Sequence, residues 1–213
     1  MAILLGENPW ILIGLTFFEI LFVIIPALIS SKLENKPFTN VIRDMGFRKN
    51  EDIFIKVISG LSFGILFFFF GDYLLIFFRD IVIRNIFGYE FIERGQEGAI
   101  STTPINPNFI QVIILIILQI ILIGPCEEAF FRGFLIQKLN KKLKLIYSII
   151  ISSLCFAFYH TPPFLVPLTT VITFFGYYFT FGCILSLIFV YFNYSIIPCS
   201  IAHSCLNIFI LII

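Results

Sequence analysis

The stretch GPCEEAFFRGF, residues 124–134, places two glutamates and one arginine inside a long apolar run. A charged side chain at the centre of a membrane-spanning helix costs about 2.5–3.5 kcal/mol to insert, so function is the default explanation for such groups. Glu128 and Arg132 are four residues apart and share one face of a helix, where they neutralise each other. Glu127 points away from that face and has no local cation. The spacing therefore predicts that Glu128 is structural and that Glu127 is free to transfer protons.

The composition of the whole chain is that of a protein dissolved largely in lipid. Of its 213 residues, 59% are hydrophobic and 13% are charged. We expect an all-α fold: a polytopic transmembrane bundle of six to eight helices with an intramembrane polar cavity. The prediction is one integral membrane domain, 1–213, with a motif-bearing catalytic core at 109–213 and accessory helices and loops at 1–108. A net charge of +1 without a basic patch indicates no nucleic-acid partner.

Six long apolar runs predict the membrane spans: residues 9–29, 53–78, 109–139, 145–160, 166–194 and 196–213. The run 109–139 is either one helix kinked at Gly124-Pro125 or two shorter helices. The segment 79–108 is predicted to be an extracytoplasmic loop with an interfacial helix at 81–87. The loop 30–52 carries five basic residues and the segment 138–144 carries four, which places both on the cytoplasmic side.

Several smaller features of the apolar runs have structural interpretations. Glu19, in the middle of the first run, is interpreted as a protonated or bundle-facing carboxylate without a direct catalytic role. Gly60 and Gly64 form a face of small residues on which another helix can pack closely. The five cysteines lie in apolar segments without a paired motif and are expected to behave as small hydrophobic residues.

The remaining candidates for chemistry are two histidines and an asparagine. His160 is expected at the end of an apolar helix, before the breaker sequence Thr161-Pro162-Pro163. His203 and Asn207 are four residues apart and share a helix face. A carboxylate, two imidazoles and an amide can together activate water and stabilise an oxyanion. Because no nucleophilic serine or cysteine motif is present, the pattern favours hydrolysis by water.

Three motifs in order carry a resemblance to a known family: Glu127-Glu128-x-x-x-Arg132, Phe156-x-x-x-His160 and His203-x-x-x-Asn207. They resemble the motifs of the CPBP (Abi) intramembrane proteases, which include type II CAAX prenyl endopeptidases and bacteriocin-processing relatives. The resemblance covers residues 124–207. Prenyl-type members of this family usually have eight helices, whereas the sequence shows six long runs.

The resemblance implies a role for each motif residue. Glu127 would be the general base on a water molecule, assisted by His160, and His203 with Asn207 would form the oxyanion hole. Glu128 and Arg132 would be the structural pair.

Phe156, in the second motif, is expected to contact substrate. No cofactor is expected to be required. The alternative is a zinc site held by Glu127, His160 and His203; Asn207 suits an oxyanion hole better than a zinc shell.

The expected function is an intramembrane endopeptidase that cuts near the C-terminus of a lipidated, CAAX prenyl-type or other membrane-associated peptide. Its partners would be a prenylated or hydrophobic peptide and membrane lipid, and it would be a multi-pass protein, of the plasma membrane if the host is prokaryotic. Alternatives are a bacteriocin-type processing or self-immunity protease, a proton- or ion-coupled transporter, or a non-catalytic scaffold. The transporter is disfavoured because no inverted repeat is visible.

Overall fold

The computed structural model describes residues 3–47 and 52–212. These residues form eight helices and a two-residue parallel pairing of β1 (Ile3–Leu4) with β2 (Ile100–Ser101). The helices are α1 (Pro9–Glu34), α2 (Phe38–Asp44), α3 (Ile53–Phe87), α4 (Tyr89–Glu97), α5 (Phe109–Asn140), α6 (Leu145–His160), α7 (Leu168–Tyr191) and α8 (Ile196–Ile212). The predicted all-α bundle is confirmed.

Local sequence signals explain where the long helices begin. At the start of α1 the side chain of Asn8 accepts a hydrogen bond from the backbone N–H of Trp10, and Pro9 occupies the first position, where a helix tolerates proline. At the start of α5, Asn108 and Gln111 each bond to the other's backbone N–H. This reciprocal pair satisfies two backbone donors that a helix N-terminus leaves free.

Four helices are long and apolar enough to cross a membrane: α1, α3, α5 and α7, with 26, 35, 32 and 24 residues. The prediction of six long spans is therefore corrected, because α6 and α8 have 16 and 17 residues. At about 1.5 Å per residue they are roughly 24 and 26 Å long, shorter than a hydrocarbon core of about 30 Å. Both are nevertheless apolar helices of the bundle.

The end of α3 differs from the prediction. The helix was expected to stop at residue 78, before an interfacial helix at 81–87, but it continues to Phe87 through wide π-helical turns over Phe77–Ile83. Arg79 and Asp80, the first residues of the segment predicted to be a loop, form an ion pair with 2.8 Å between Nη2 and Oδ2. Because these charges neutralise each other, the helix does not end there. The separate short helix is α4, which begins after Gly88 at φ +85°.

The predicted small-residue face on α3 is confirmed as a packing surface. Gly60 and Gly64 lie against α8. A Cβ atom on Gly60 would come within 2.8 Å of the Pro198 carbonyl oxygen and of Ile201 Cβ, so a larger residue would separate the two helices. This close approach positions α8, which carries His203 and Asn207.

The run 109–139 is one helix, which resolves the open alternative. In α5 the segment Gly124–Glu128 lies between two π-helical segments, Gln119–Ile123 and Ala129–Ile136. Pro125 lacks a backbone N–H, and the wider turns on either side let the helix continue past it. The acidic pair therefore lies in a locally distorted part of a long helix, not at the start of a new one.

The two basic segments lie at the same end of the bundle, as the charge pattern predicts. Lys138 Nζ donates to Ser30 Oγ at 2.6 Å and also pairs with Glu34. Gln137 Nε2 donates to the Asp44 backbone oxygen at 2.7 Å. Arg48 and Lys49 of the first basic loop lie outside the described residues. These contacts connect the end of α1 and α2 to the end of α5.

Candidate active site

The three motif segments meet at one polar centre, built by α5, α6 and α8. The centre contains one potential ligand atom from each of three residues, Glu127, His160 and His203. These three atoms lie within 4.8 Å of one another. They lie on the wall of a cavity of about 1220 Å³, which Asn207 also lines. The sequence predicted that residues 76 positions apart would form one site, and the fold brings them together.

The Glu128–Arg132 pair is fully buried. Arg132 Nη1 donates to Glu128 Oε1 at 2.8 Å, and both side chains have no exposed surface. Arg132 Nη2 also donates to the Gly182 carbonyl oxygen of α7 at 3.2 Å, and the guanidinium carbon lies 4.4 Å from the centre of the Phe156 ring. Three kinds of contact therefore hold the cation in place, and the charge of Glu128 is neutralised locally.

Glu127 has a different environment from its neighbour. It is 4% exposed, and among the described residues no lysine or arginine lies within ion-pair distance of its carboxylate. Its Oε2 atom is buried without a hydrogen-bond partner. Buried polar atoms are normally paired, so an unpaired carboxylate oxygen at a cavity wall indicates a role in chemistry.

His203 is oriented by the structural glutamate. Its Nδ1 donates to Glu128 Oε1 at 2.9 Å, and its Nε2 lies 3.9 Å from Glu127 Oε2. A hydrogen bond at one ring nitrogen fixes the role of the other. In the neutral ring Nε2 is an acceptor, and in the imidazolium form it is a donor beside Glu127. Glu128 thus neutralises Arg132 and also sets the orientation of His203.

His160 is the last residue of α6, as predicted. Its Nδ1 donates to the carbonyl oxygen of Phe156, one turn earlier, at 3.1 Å. The ring lies between those of Phe156 and Tyr178, with centroid distances of 4.3 and 4.7 Å. These contacts leave Nε2 as an acceptor for a water molecule or a metal ion.

Phe156 is 2% exposed, although it lines the cavity. Its ring contacts Arg132 and both histidines. This position favours a role in orienting the imidazoles, and its predicted contact with substrate stays a prediction.

Asn207 is held by a residue that the motifs do not include. Its Nδ2 donates to Gln119 Oε1 at 3.1 Å, and Ser204 Oγ donates to the backbone oxygen of Gln119 at 2.7 Å. An amide nitrogen carries two hydrogens, so one remains for an oxyanion at the cavity wall. Gln119 is therefore a positioning residue that sequence reasoning missed, although it is one of only two polar residues in the stretch 109–123.

The residues present also fit a divalent metal ion. Glu127, His160 and His203 supply one carboxylate and two imidazoles, the donor set of a three-ligand zinc site with an open position. Both Nδ1 atoms are already hydrogen bonded to protein acceptors, which is the usual support for histidine ligands that bind through Nε2. The same geometry thus accommodates both of the mechanisms that the sequence left open.

Sequence reasoning also missed a cross-helix pair at the site. The hydroxyl of Tyr159 on α6 donates to Glu19 Oε1 on α1 at 2.7 Å, and both residues line the cavity. A single acid in the middle of the first apolar run was the signal for Glu19. Its partner lies 140 residues away, so no local pattern could have identified it.

Comparison with known proteins finds a family model that matches this part of the chain. Residues 109–209 match the family model described as type II CAAX prenyl endopeptidase Rce1-like. No curated protein and no solved structure matches the chain. All motif residues, from Glu127 to Asn207, lie inside the matched region, and the resemblance seen in the sequence is confirmed.

Proposed function

We propose that this protein is a glutamate-type intramembrane endopeptidase in which Glu127 is the base, because residues 109–209 match the family model of the Rce1-like type II CAAX prenyl endopeptidases, a protease family. The observation that carries this proposal is the difference between two adjacent carboxylates. Glu128 is paired with Arg132 and bonded to His203, whereas Glu127 has no arginine or lysine within ion-pair distance among the described residues and lies beside two imidazoles at the cavity wall. A base needs an unpaired carboxylate within reach of water, and Glu127 is placed to provide it.

The first step of the proposed reaction is activation of a water molecule. Glu127 and His160 Nε2 each accept one hydrogen of the water, which directs the lone pair of its oxygen toward the substrate carbonyl carbon. Glu127 takes the proton as the new C–O bond forms. The two acceptors therefore both orient the water and raise its nucleophilicity.

The second step is collapse of the tetrahedral intermediate. Its oxyanion receives hydrogen bonds from Asn207 Nδ2 and from His203 in its imidazolium form, which Glu128 stabilises at Nδ1. The proton held by Glu127 passes to the leaving nitrogen, and the C–N bond breaks. The products are a carboxylate and an amine, so one water molecule is consumed for each peptide bond.

We prefer this route without a metal because Asn207 suits an oxyanion hole. If a divalent metal is bound, Glu127, His160 and His203 would hold it, and it would supply Lewis-acid activation of the water.

The proposed substrate is a peptide with a prenyl group near its C-terminus. The cavity is lined mainly by apolar side chains, among them Phe22, Phe67, Phe130 and Leu135. Such a lining accommodates a hydrocarbon anchor while the peptide reaches Glu127. We further propose a multi-pass arrangement in which the substrate anchor enters from the bilayer.

The test is cleavage of a quenched-fluorescence farnesylated CAAX peptide by the purified protein in lipid. The wild type should cleave, and Glu127→Gln should lower kcat by about 10²–10⁴-fold, the usual contribution of a general base. Glu97→Gln makes the same change at an exposed acid on α4 and should behave as the wild type. The proposal fails if Glu127→Gln cleaves at the wild-type rate.

Two further outcomes refine the proposal. A folded wild type that leaves the farnesylated peptide intact would remove the prenyl substrate. Metal content is measured beside activity, with and without chelator. Loss of a stoichiometric metal together with activity would replace the metal-free route.

A further inference from the structure

Glu19 is a carboxylate at the active-site cavity that the proposed reaction does not use. It lies on α1, outside the matched residues 109–209, yet it lines the same cavity as Glu127 and Asn207. Helix α1 therefore contributes an acid to a site whose motifs all lie elsewhere in the chain.

The hydrogen bonds of Glu19 show which groups remain available. The Tyr159 hydroxyl has one hydrogen, and it is donated to Glu19 Oε1. Glu19 Oε2 is buried and has no hydrogen-bond partner among the described residues. When the Glu19 carboxyl is ionised, what remains on the pair is only acceptor capacity, namely Oε2 and the lone pairs of the tyrosine oxygen. A donor supplied by a bound molecule would satisfy them.

A peptide substrate brings donors of the required kind. An extended peptide at membrane depth carries backbone N–H groups that have no water to bond to, and leaving them unpaired is strongly unfavourable. On α8 the site offers a donor, the Asn207 amide, which suits a peptide carbonyl. The Glu19–Tyr159 pair offers acceptors, which suit a peptide N–H. Together the two sides match the backbone of an extended chain.

We propose that Glu19 and Tyr159 form an acceptor subsite in which Glu19 Oε2 receives a backbone N–H of the substrate. This inference rests on the proposed function, since it concerns how the same cavity binds its peptide. Glu19 is then a substrate-binding residue that holds the chain beside Glu127 and takes no part in proton transfer. The sequence-based interpretation of Glu19 as purely bundle-facing is extended accordingly.

The first test is the kinetics of Glu19→Gln. The amide oxygen can still accept from Tyr159, but an NH₂ group then replaces Oε2, and it cannot accept a substrate N–H. KM should rise about tenfold or more, the usual effect of losing a hydrogen bond to a charged group, while kcat stays close to that of the wild type. An unchanged KM would contradict the proposal.

Thr16→Val is the matched control. Thr16 lies on the same helix and lines the same cavity, but its hydroxyl donates to its own backbone at Ile13, at 2.7 Å. Its kinetics should equal those of the wild type. If Thr16→Val raises KM as Glu19→Gln does, the effect belongs to α1 packing and not to an acceptor.

The second test measures binding without cleavage, and so separates this inference from the proposed function. A fluorescent farnesylated peptide is bound to the Glu127→Gln protein, with each backbone N–H replaced in turn by an ester oxygen. At one position the ester should weaken binding about tenfold when Glu19 is present and have no further effect in the Glu19→Gln variant. Equal weakening in both proteins at every position, or no binding of the peptide, would overturn the subsite. Binding with this coupling but no cleavage by the wild type would refute the protease and leave the subsite established.

Discussion

Two regions of the molecule differ in how much of their apolar surface is buried inside the protein. They are the N-terminal region, residues 3–47 and 52–108, and the matched region, residues 109–209. In α3, 17% of the apolar window is buried inside the protein, against 39% in α7. Helix α3 exposes large side chains such as Phe54 and Phe69, which are 73% and 63% exposed. The matched region instead surrounds buried charges with packed helices. Entering lipid requires only an apolar surface, whereas chemistry at membrane depth requires an interior that excludes lipid.

Two ion pairs, one in each region, show the same difference in burial at equal nitrogen–oxygen distance. Arg132–Glu128 in the matched region and Arg79–Asp80 in the N-terminal region both have a nitrogen–oxygen distance of 2.8 Å. The first pair is fully buried, while the side chains of the second are 22% and 32% exposed. From the distance alone, the two pairs would be expected to contribute equally to stability. Burial makes the loss of one partner far more costly in the first pair.

The largest effect on stability is expected from Arg132→Ala. It leaves Glu128 buried without the arginine that neutralises it, so the free energy of unfolding should fall by about 3–5 kcal/mol. Arg79→Ala, the matched change in the partly exposed pair, should cost less, about 1 kcal/mol. Unfolding in mixed micelles measures both. Equal losses of stability in the two variants would show that burial does not make the ion pair of the matched region more important than that of the N-terminal region.

The next effect is on catalysis and concerns Asn207→Ala. Removing one donor from an oxyanion hole lowers kcat by about 10²-fold or more, with little change in KM. Ser204→Ala is the control, because Ser204 bonds to the backbone of the same Gln119 but presents no group to the oxyanion. A peptide-cleavage assay gives both constants. A change confined to KM would assign Asn207 to substrate binding.

The smallest effect is expected where the two regions are joined. Lys138 of α5 pairs with Glu34 of α1, and these side chains are 24% and 29% exposed. A double-mutant cycle with Lys138→Ala and Glu34→Gln should give a coupling of about 1 kcal/mol or less. Cleavage activity should be retained. A larger coupling, or loss of cleavage, would mean that the junction controls the site.

The parts of the structure that sequence could predict are those with local signals. The bounds of α6 were predicted without error, because the breakers after His160 and the basic cluster before Leu145 delimit it. The unequal environments of Glu127 and Glu128 followed from one helical spacing and agree with the observed pairing. Such features depend on residues within one or two turns of each other.

Other features depend on pairs that sequence does not connect. The second span was predicted to end at residue 78, yet the charges of Arg79 and Asp80 cancel each other within the helix, which continues. Gln119 accepts a hydrogen bond from Asn207, which lies 88 residues later in the chain. Tyr159 donates to Glu19, which lies 140 residues earlier. No periodicity marks these contacts, because they arise from how whole helices pack.

The short length of α6 and α8 bears on how the reaction is supplied. These helices carry His160, His203 and Asn207, and at roughly 24–26 Å they are several ångströms shorter than the surrounding hydrocarbon. A bilayer adjusts to short helices by becoming thinner beside them. A thinner bilayer shortens the path from the aqueous phase to Glu127. The proposed reaction consumes one water molecule in each turnover, so this hydrophobic mismatch would serve as a route of hydration.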